Sequence, residues 1–218
     1  MSVARSTAPA KTPPRPPRGE MIDVGGRRLR VVRSGPASER PTIVLEHGAF
    51  GCAADWAVVQ ERLAAKGLAS VAYDRAGLGL AEPGQNPRDG RAIVSDLAAL
   101  LQEIGEAGPV VLVGHSMGGL MVRLYALTHP RQVLGVVLVD AVTPDVISHP
   151  LGAKGVSTFT RMLGWVSHGA RYGMMRPVAA FTGDRIGLPP DAAAEKRRIP
   201  GSGPHAHWAA QEVGQWRA

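Results

Sequence analysis

Cys52 is the single cysteine among 218 residues. A disulfide framework and a cysteine metal cluster are thereby excluded within one chain, and Cys52 is read as a small, satisfied residue. Long apolar runs are missing too: none approaches the ~18 residues that a membrane-spanning helix requires. The opening stretch MSVARSTAPAKTPPRPPRGE has no apolar centre, so it is not a secretory signal. It reads as a disordered or polyproline-like leader over residues 1–20, and a cytoplasmic location is the expectation. That leader also lacks acids, since no Asp or Glu precedes Glu20 while Arg5, Lys11, Arg15 and Arg18 stand before it. The net charge of +7 therefore falls to about +3 on the rest of the chain, too diffuse for a nucleic-acid footprint. The histidines and acids show no ligand spacing such as H-E-x-x-H, so neither a metal nor a cofactor is expected.

What is present is an ordinary globular composition, 44% apolar and 20% charged, long enough for one domain with a sizeable core. From Met21 onward short β-rich runs alternate with helical ones, the pattern of a mostly parallel sheet with helices on both faces. MIDVGGRRLRVVRSG reads as a hairpin around Gly25 and Gly26. TIVLEHG, ASVAYDRAG, PVVLVG and VLGVVLVDA read as further strands, the last two apolar enough to be covered on both faces. Asp55 is placed to cap a helix presenting Trp56, Val59 and Leu63, and RAIVSDLAALLQEIG has Ile93, Val94, Leu97, Leu100, Leu101 and Ile104 in helical phase. This regular part spans residues 21–145. Beyond it, residues 146–218 carry helical fragments such as TRMLGWVSHGARYGMM and PHAHWAAQEVGQW without a buried-strand pattern, which suits a helical cap or lid.

The stretch VVLVGHSMGGLMVRLYA contains G-x-S-x-G between a strand and a helix. In that context Gly114 and Gly118 relieve the crowding of a sharp turn that pushes the Ser116 hydroxyl out at the carboxyl end of the strand. The amides at the start of the following helix favour negative charge there. On these residues the chain resembles the α/β-hydrolase family, in strand, helix and motif order over residues 21–145. The resemblance implies Ser116 as nucleophile. EHGAFG, Glu46 to Gly51, is similar to the family's His-Gly oxyanion loop, which implies the Ala49 amide, with Phe50 as the alternative, acting with the Met117 amide as oxyanion donors. His47 is then structural, bridging loop backbone. YDRAGLGLAEPG resembles a strand-end Asp-Arg loop in which Asp74 and Arg75 pin the loop, although Ala81 stands where the family often has Ser.

A serine nucleophile needs a base and a group to orient it, and in this family's order an acid and then a His follow the serine. His129 suits a helix C-terminus, while His149 and His168 suit a polar cap surface. Two arrangements stay open. In the compact one Asp184 orients His205 or His207. In the other the last strands, the acid and the base are absent because the chain stops within the cap, and Asp140 at the tip of VVLVDA is left as a substitute acid without a His. VGQWRA, a helical pattern cut off without Gly, Asn or Pro beyond Gly214, favours the second. That arrangement also makes Val133–Asp140 an exposed sheet edge prone to self-association. The expected activity is hydrolysis of esters or related acyl compounds, weak in this short form, with a non-catalytic small-molecule binder as the alternative.

Overall fold

A computed structural model describes residues 18–37, 40–106, 108–172, 174, 187–199 and 201–216. Six strands form a single sheet: β1 (Glu20–Asp23), β2 (Arg28–Ser34), β3 (Ile43–Glu46), β4 (Ser70–Tyr73), β5 (Val110–His115) and β6 (Val133–Val139), in the order β1-β2-β4-β3-β5-β6. The β1–β2 and β2–β4 pairs are antiparallel, and β3–β4, β3–β5 and β5–β6 are parallel. The hairpin turn between β1 and β2 is closed by the Asp23 carboxylate, which accepts from the Gly25 and Gly26 amides.

Strand alternation sends neighbouring residues to opposite faces. Val31, Val44, Val71 and Leu112 face α2 (Gly90–Glu103) and α3 (Gly118–Thr128), packing on Leu97, Leu100, Leu101, Val122 and Tyr125. Val32, Leu45 and Ala72 face the other way, against Ala53, Trp56 and Leu63. The α2 helix starts where Asp89 accepts from the Ala92 amide. Asp55 is not the cap that the sequence suggests. It lies inside a single 3-10 turn, Ala53–Trp56, that precedes α1 (Ala57–Ala65), and its carboxylate turns back to accept from the Cys52 amide. His129 ends α3 with its ring stacked on Tyr125, 4.5 Å between centroids.

Four helices follow the sheet among the described residues: α4 (Pro144–Ser148), α5 (Pro150–Arg171), α6 (Pro190–Arg198) and α7 (Gly203–Gly214). The α5 helix is longer than its sequence fragment indicates because Pro150 opens it and the His149 ring accepts from the Leu151 amide, capping the new first turn. The α7 face and the turn after it lie over the core. His205 accepts from the Gly79 amide at 2.9 Å, Trp208 packs where a side chain at Gly77 would stand, Glu212 binds Arg75, and the Trp216 indole N–H meets the Met117 sulfur. The spacing of these four residues places them on one helical stripe.

The β6 strand departs from the covered strand that its composition suggests. Among the described residues it pairs only with β5, and Leu134 is 62% and Val137 48% exposed. An apolar strand with a free backbone edge invites pairing with another chain. The 218-residue polypeptide is therefore expected to show mass rising with concentration in size-exclusion light scattering, and Val137→Lys to return it toward monomer. A monodisperse wild-type monomer at all concentrations contradicts this.

The His205 seat generates a second expectation. Burial pushes the His205 pKa down to about 3, whereas the unfolded side chain titrates near ~6.5. Between those values the unfolded state holds more protons, so stability rises with pH and is lost as pH falls from ~6.5 toward the folded value, by about 1.4 kcal/mol per unit. His47, held low by burial and by Arg75, acts in the same direction. Urea melts should show wild type losing about 3 kcal/mol between about pH 6.5 and pH 5 and His205→Gln losing about half as much. Equal losses in the two proteins contradict the assignment.

Candidate active site

Strand β5 ends at His115 and α3 begins at Gly118, so the chain must reverse within two residues. Ser116 makes that turn with φ 52°, a left-handed conformation that costs an L-residue with a side chain about 1–2 kcal/mol. Hydrogen bonds on both sides of the residue hold it there: the Ser116 amide donates to Val139 O at 3.1 Å, and the Ser116 carbonyl accepts from Gly119 and Val142. Two close approaches require glycine. A Cβ on Gly114 would stand 2.6 Å from Gly118 O, and one on Gly118 would stand 2.6 Å from Glu46 O. The absence of those atoms lets the start of α3 lie directly against the end of β3, which brings Ser116 to the loop that follows Glu46.

That loop, His47 to Gly51, is held through its carbonyls. The Arg75 guanidinium donates to His47 O at 2.7 Å and to Gly48 O at 3.0 Å. The His47 ring lies flush with the backbone, its Nδ1–H donating to Gly48 O at 2.9 Å while Nε2 faces the Arg75 amide at 3.5 Å. Burial and the adjacent Arg75 keep this ring neutral. Phe50 turns the loop with φ 58°. With the carbonyls engaged, the Ala49, Phe50 and Met117 amides have no acceptor among the described residues. Met117 stands at the N-terminal cap of α3, where backbone N–H groups have no intrahelical partner and the helix dipole is positive. Its side chain is buried with Ile93 and Met121.

Ser116, Ala49 and Phe50 line one cavity of about 450 Å³ together with His47, His115, Trp56, Val59 and Val139. Asp55 and Lys196, ion-paired at 2.5 Å, stand at its wall. The cavity is large enough for a small organic ligand and mostly apolar, with a few polar groups that can orient one.

Among the described residues no base is bonded to Ser116. Ser116 Oγ has no hydrogen-bond partner among the described residues. His205 is buried with its Nδ1 on the Gly79 amide and its ring edge-on to Phe50 at 4.7 Å. His207 is exposed on α7, against Trp208. Asp140 is exposed directly after Val139, with φ 44°, at the strand tip that binds the Ser116 amide. Asp184 lies outside the described residues. His168 packs against Tyr172 on α5. No group of His, Cys, Asp or Glu suited to a metal occurs among the described residues. Burial pushes the Cys52 thiol up to about 12, so it is not a nucleophile at neutral pH.

Sequence reasoning missed the ion network beneath the His47–Gly51 loop. Arg75 binds Glu46 at 2.5 Å and Glu212 at 2.8 Å, and Arg88 binds Asp96 at 2.7 Å. Burial works against the Arg75 charge, but Glu212 and Glu46 outweigh it and raise its pKa. The Tyr73 hydroxyl donates to Glu46, whose own pKa burial raises. The one sequence signal was the placement of Glu212 seven residues after His205, on the face of α7 that turns inward.

Comparison with known proteins follows this geometry. The family model described as alpha/beta hydrolase fold matches residues 41–177. The bifunctional esterase/perhydrolase DCH of Acinetobacter calcoaceticus is 33% identical over 119 residues, covering 54% of this chain and 43% of that protein. Among solved structures, the epoxide hydrolase CorEH superposes with a TM-score of 0.66 at 21% identity, covering 88% of this chain and 72% of the other. The enol-lactonase of Burkholderia xenovorans LB400 gives 0.64 at 20% identity, covering 90% and 73%. The chain spans less than half the length of the curated relatives it matches. At these identities the solved structures establish the fold, and the family match, which covers more than half of the residues, establishes the membership: the chain belongs to the alpha/beta hydrolase fold family.

Proposed function

We propose that the protein is a serine hydrolase for esters or related acyl compounds, with Ser116 as nucleophile and the Ala49 and Met117 amides as oxyanion donors. The observation that carries this reading is the strained turn at Ser116, beside a cavity shared with the unpartnered Ala49 amide. A fold tolerates a left-handed serine at a strand end only where surrounding bonds over-determine it, and such positions cluster at functional sites. The chemistry follows from the parts. Ser116 Oγ attacks the acyl carbon, the carbonyl oxygen gains charge, and two fixed N–H donors stabilise that charge by about 3 kcal/mol each. The acyl–oxygen bond to the leaving group breaks, that oxygen takes the Ser116 proton and departs as the alcohol, and water then cleaves the acyl-Ser116 ester, releasing the carboxylic acid and restoring the hydroxyl. The esterase in the name of the Acinetobacter relative supports an acyl substrate.

Proton removal from Ser116 is the weak step, because no histidine is bonded to its hydroxyl among the described residues. This same observation favours the second reading, a binder of small acyl compounds that turns them over poorly. Serine hydrolases without a working triad keep roughly 10³ to 10⁴-fold acceleration over water through the oxyanion hole and binding. The 218-residue polypeptide should accordingly hydrolyse an activated aryl ester slowly, with an acceleration over water of no more than about 10³ to 10⁴-fold. Ser116→Ala should remove that increment. The pH–rate profile should lack an inflection near ~6.5, and His205→Gln with His207→Ala should leave the rate unchanged. Robust turnover lost in both variants supports the compact triad instead. Ligand binding that survives Ser116→Ala with no measurable wild-type turnover supports the binder.

A further inference from the structure

The α5 helix has two working faces. Its inner face carries Val156, Phe159 and Leu163, packed on Ala209 and Val213 of α7 and on Trp216. At 100° per residue, Leu151, Lys154, Arg161, Met162, Trp165, His168 and Tyr172 fall within a single arc about 120° wide on the opposite side. No described residue covers this arc: Trp165 is 79%, Leu151 75%, Tyr172 73% and Met162 50% exposed, and Met174 just beyond is 70% exposed. Lys154, Arg161 and His168 are exposed among them.

Exposed Trp and Tyr are uncommon on a surface that meets only water, because each leaves a large apolar ring solvated. Charge identifies the occupant. No Asp or Glu occurs between Asp145 and Asp184, whereas Lys154, Arg161, Arg171 and Arg176 do. We propose that the outer face of α5 docks on an anionic lipid surface, with Trp165, Tyr172, Met162 and Leu151 entering the headgroup boundary and Lys154 and Arg161 reaching the lipid charges. Aromatic rings flanked by basic side chains, without acids, form the pattern of a helix lying in the interface plane. No helix among the described residues is long and apolar enough to cross a membrane, so α5 lies on the surface and does not span it. A second copy of the chain is a poorer occupant. A two-fold contact through this arc would set Lys154 and Arg161 of each copy against those of the other with no acid between them. This face is also separate from β6, and the inference does not depend on the activity of Ser116.

The test is co-sedimentation of the full chain with vesicles of phosphatidylcholine alone and of phosphatidylcholine with phosphatidylglycerol, at low and high salt. The expected result is binding to the anionic vesicles that is at least about tenfold tighter than to the neutral ones and weakens with salt. Trp165→Ala should weaken it several-fold and reduce the blue shift of tryptophan emission on binding. Lys154→Glu and Arg161→Glu should each weaken it about fivefold or more. All three positions are exposed, so circular dichroism should show unchanged folds. Absence of binding, equal binding to both vesicle types, or binding indifferent to all three substitutions overturns the proposal. It is also overturned if Trp165→Ala abolishes self-association while vesicles bind neither protein.

Discussion

The site depends on one buried guanidinium. Arg75, fully excluded from solvent, divides its donors among the Glu46 carboxylate, the carbonyls of His47 and Gly48, and the Glu212 carboxylate. Four parts of the fold thus meet at one planar cation: the end of β3, the loop after it, the end of β4 that carries Arg75, and α7. Removing one partner of such a buried pair costs about 3–5 kcal/mol, because the remaining charge is left without water or counter-charge. The neighbouring Asp74 works similarly on backbone, accepting from the Ala53 and Leu80 amides while paired to Arg30 at 2.7 Å. Arg75 holds the carbonyls of His47 and Gly48, and Ala49, which follows them, lines the cavity.

The elbow adds the second constraint. A left-handed Ser116 is unfavourable locally, and the bonds to Val139, Gly119 and Val142 offset that cost by tying the turn to the tip of β6 and to the start of α3. The Trp216 contact with Met117 then carries α7 over the same element. The α7 stripe is in this way tied to the sheet's loops by polar contacts at both ends, Gly79 with His205 at one and Met117 with Trp216 at the other.

Much of this was legible in the residues because local chemistry dictates it. The Gly-Gly hairpin, the strand runs, the α2 phase and the strand-serine-helix turn each follow from patterns a few residues long, and all recur in the structure. Structural roles for His47, Asp74 and Arg75 were implied by the resemblance of their two loops to the family's, and their hydrogen bonds to loop backbone agree with it. What escaped is non-local. The Arg75–Glu212 pair joins positions 137 residues apart, and no periodicity encodes it. Asp55 carries a sound cap residue at a sound distance from the helix, yet Cys52 supplies a nearer amide and Lys196 a counter-charge. The apolar β6 run has the composition of a covered strand, because composition reports what a strand can bury and not what lies beside it; the edge expected of Val133–Asp140 where the last strands are absent is the place β6 has among the described residues.

The proposed roles are a nucleophile at Ser116 and oxyanion donors at Ala49 and Met117, without a histidine bonded to Ser116 among the described residues. Prolonged incubation with an organophosphonate ester, followed by a crystal structure of the product, tests them most directly. The predicted result is a phosphonyl group on Ser116 Oγ with its oxygen about 3 Å from both the Ala49 and Met117 nitrogens. An adduct on any other side chain, or one on Ser116 whose oxygen points to solvent away from those amides, would contradict the account.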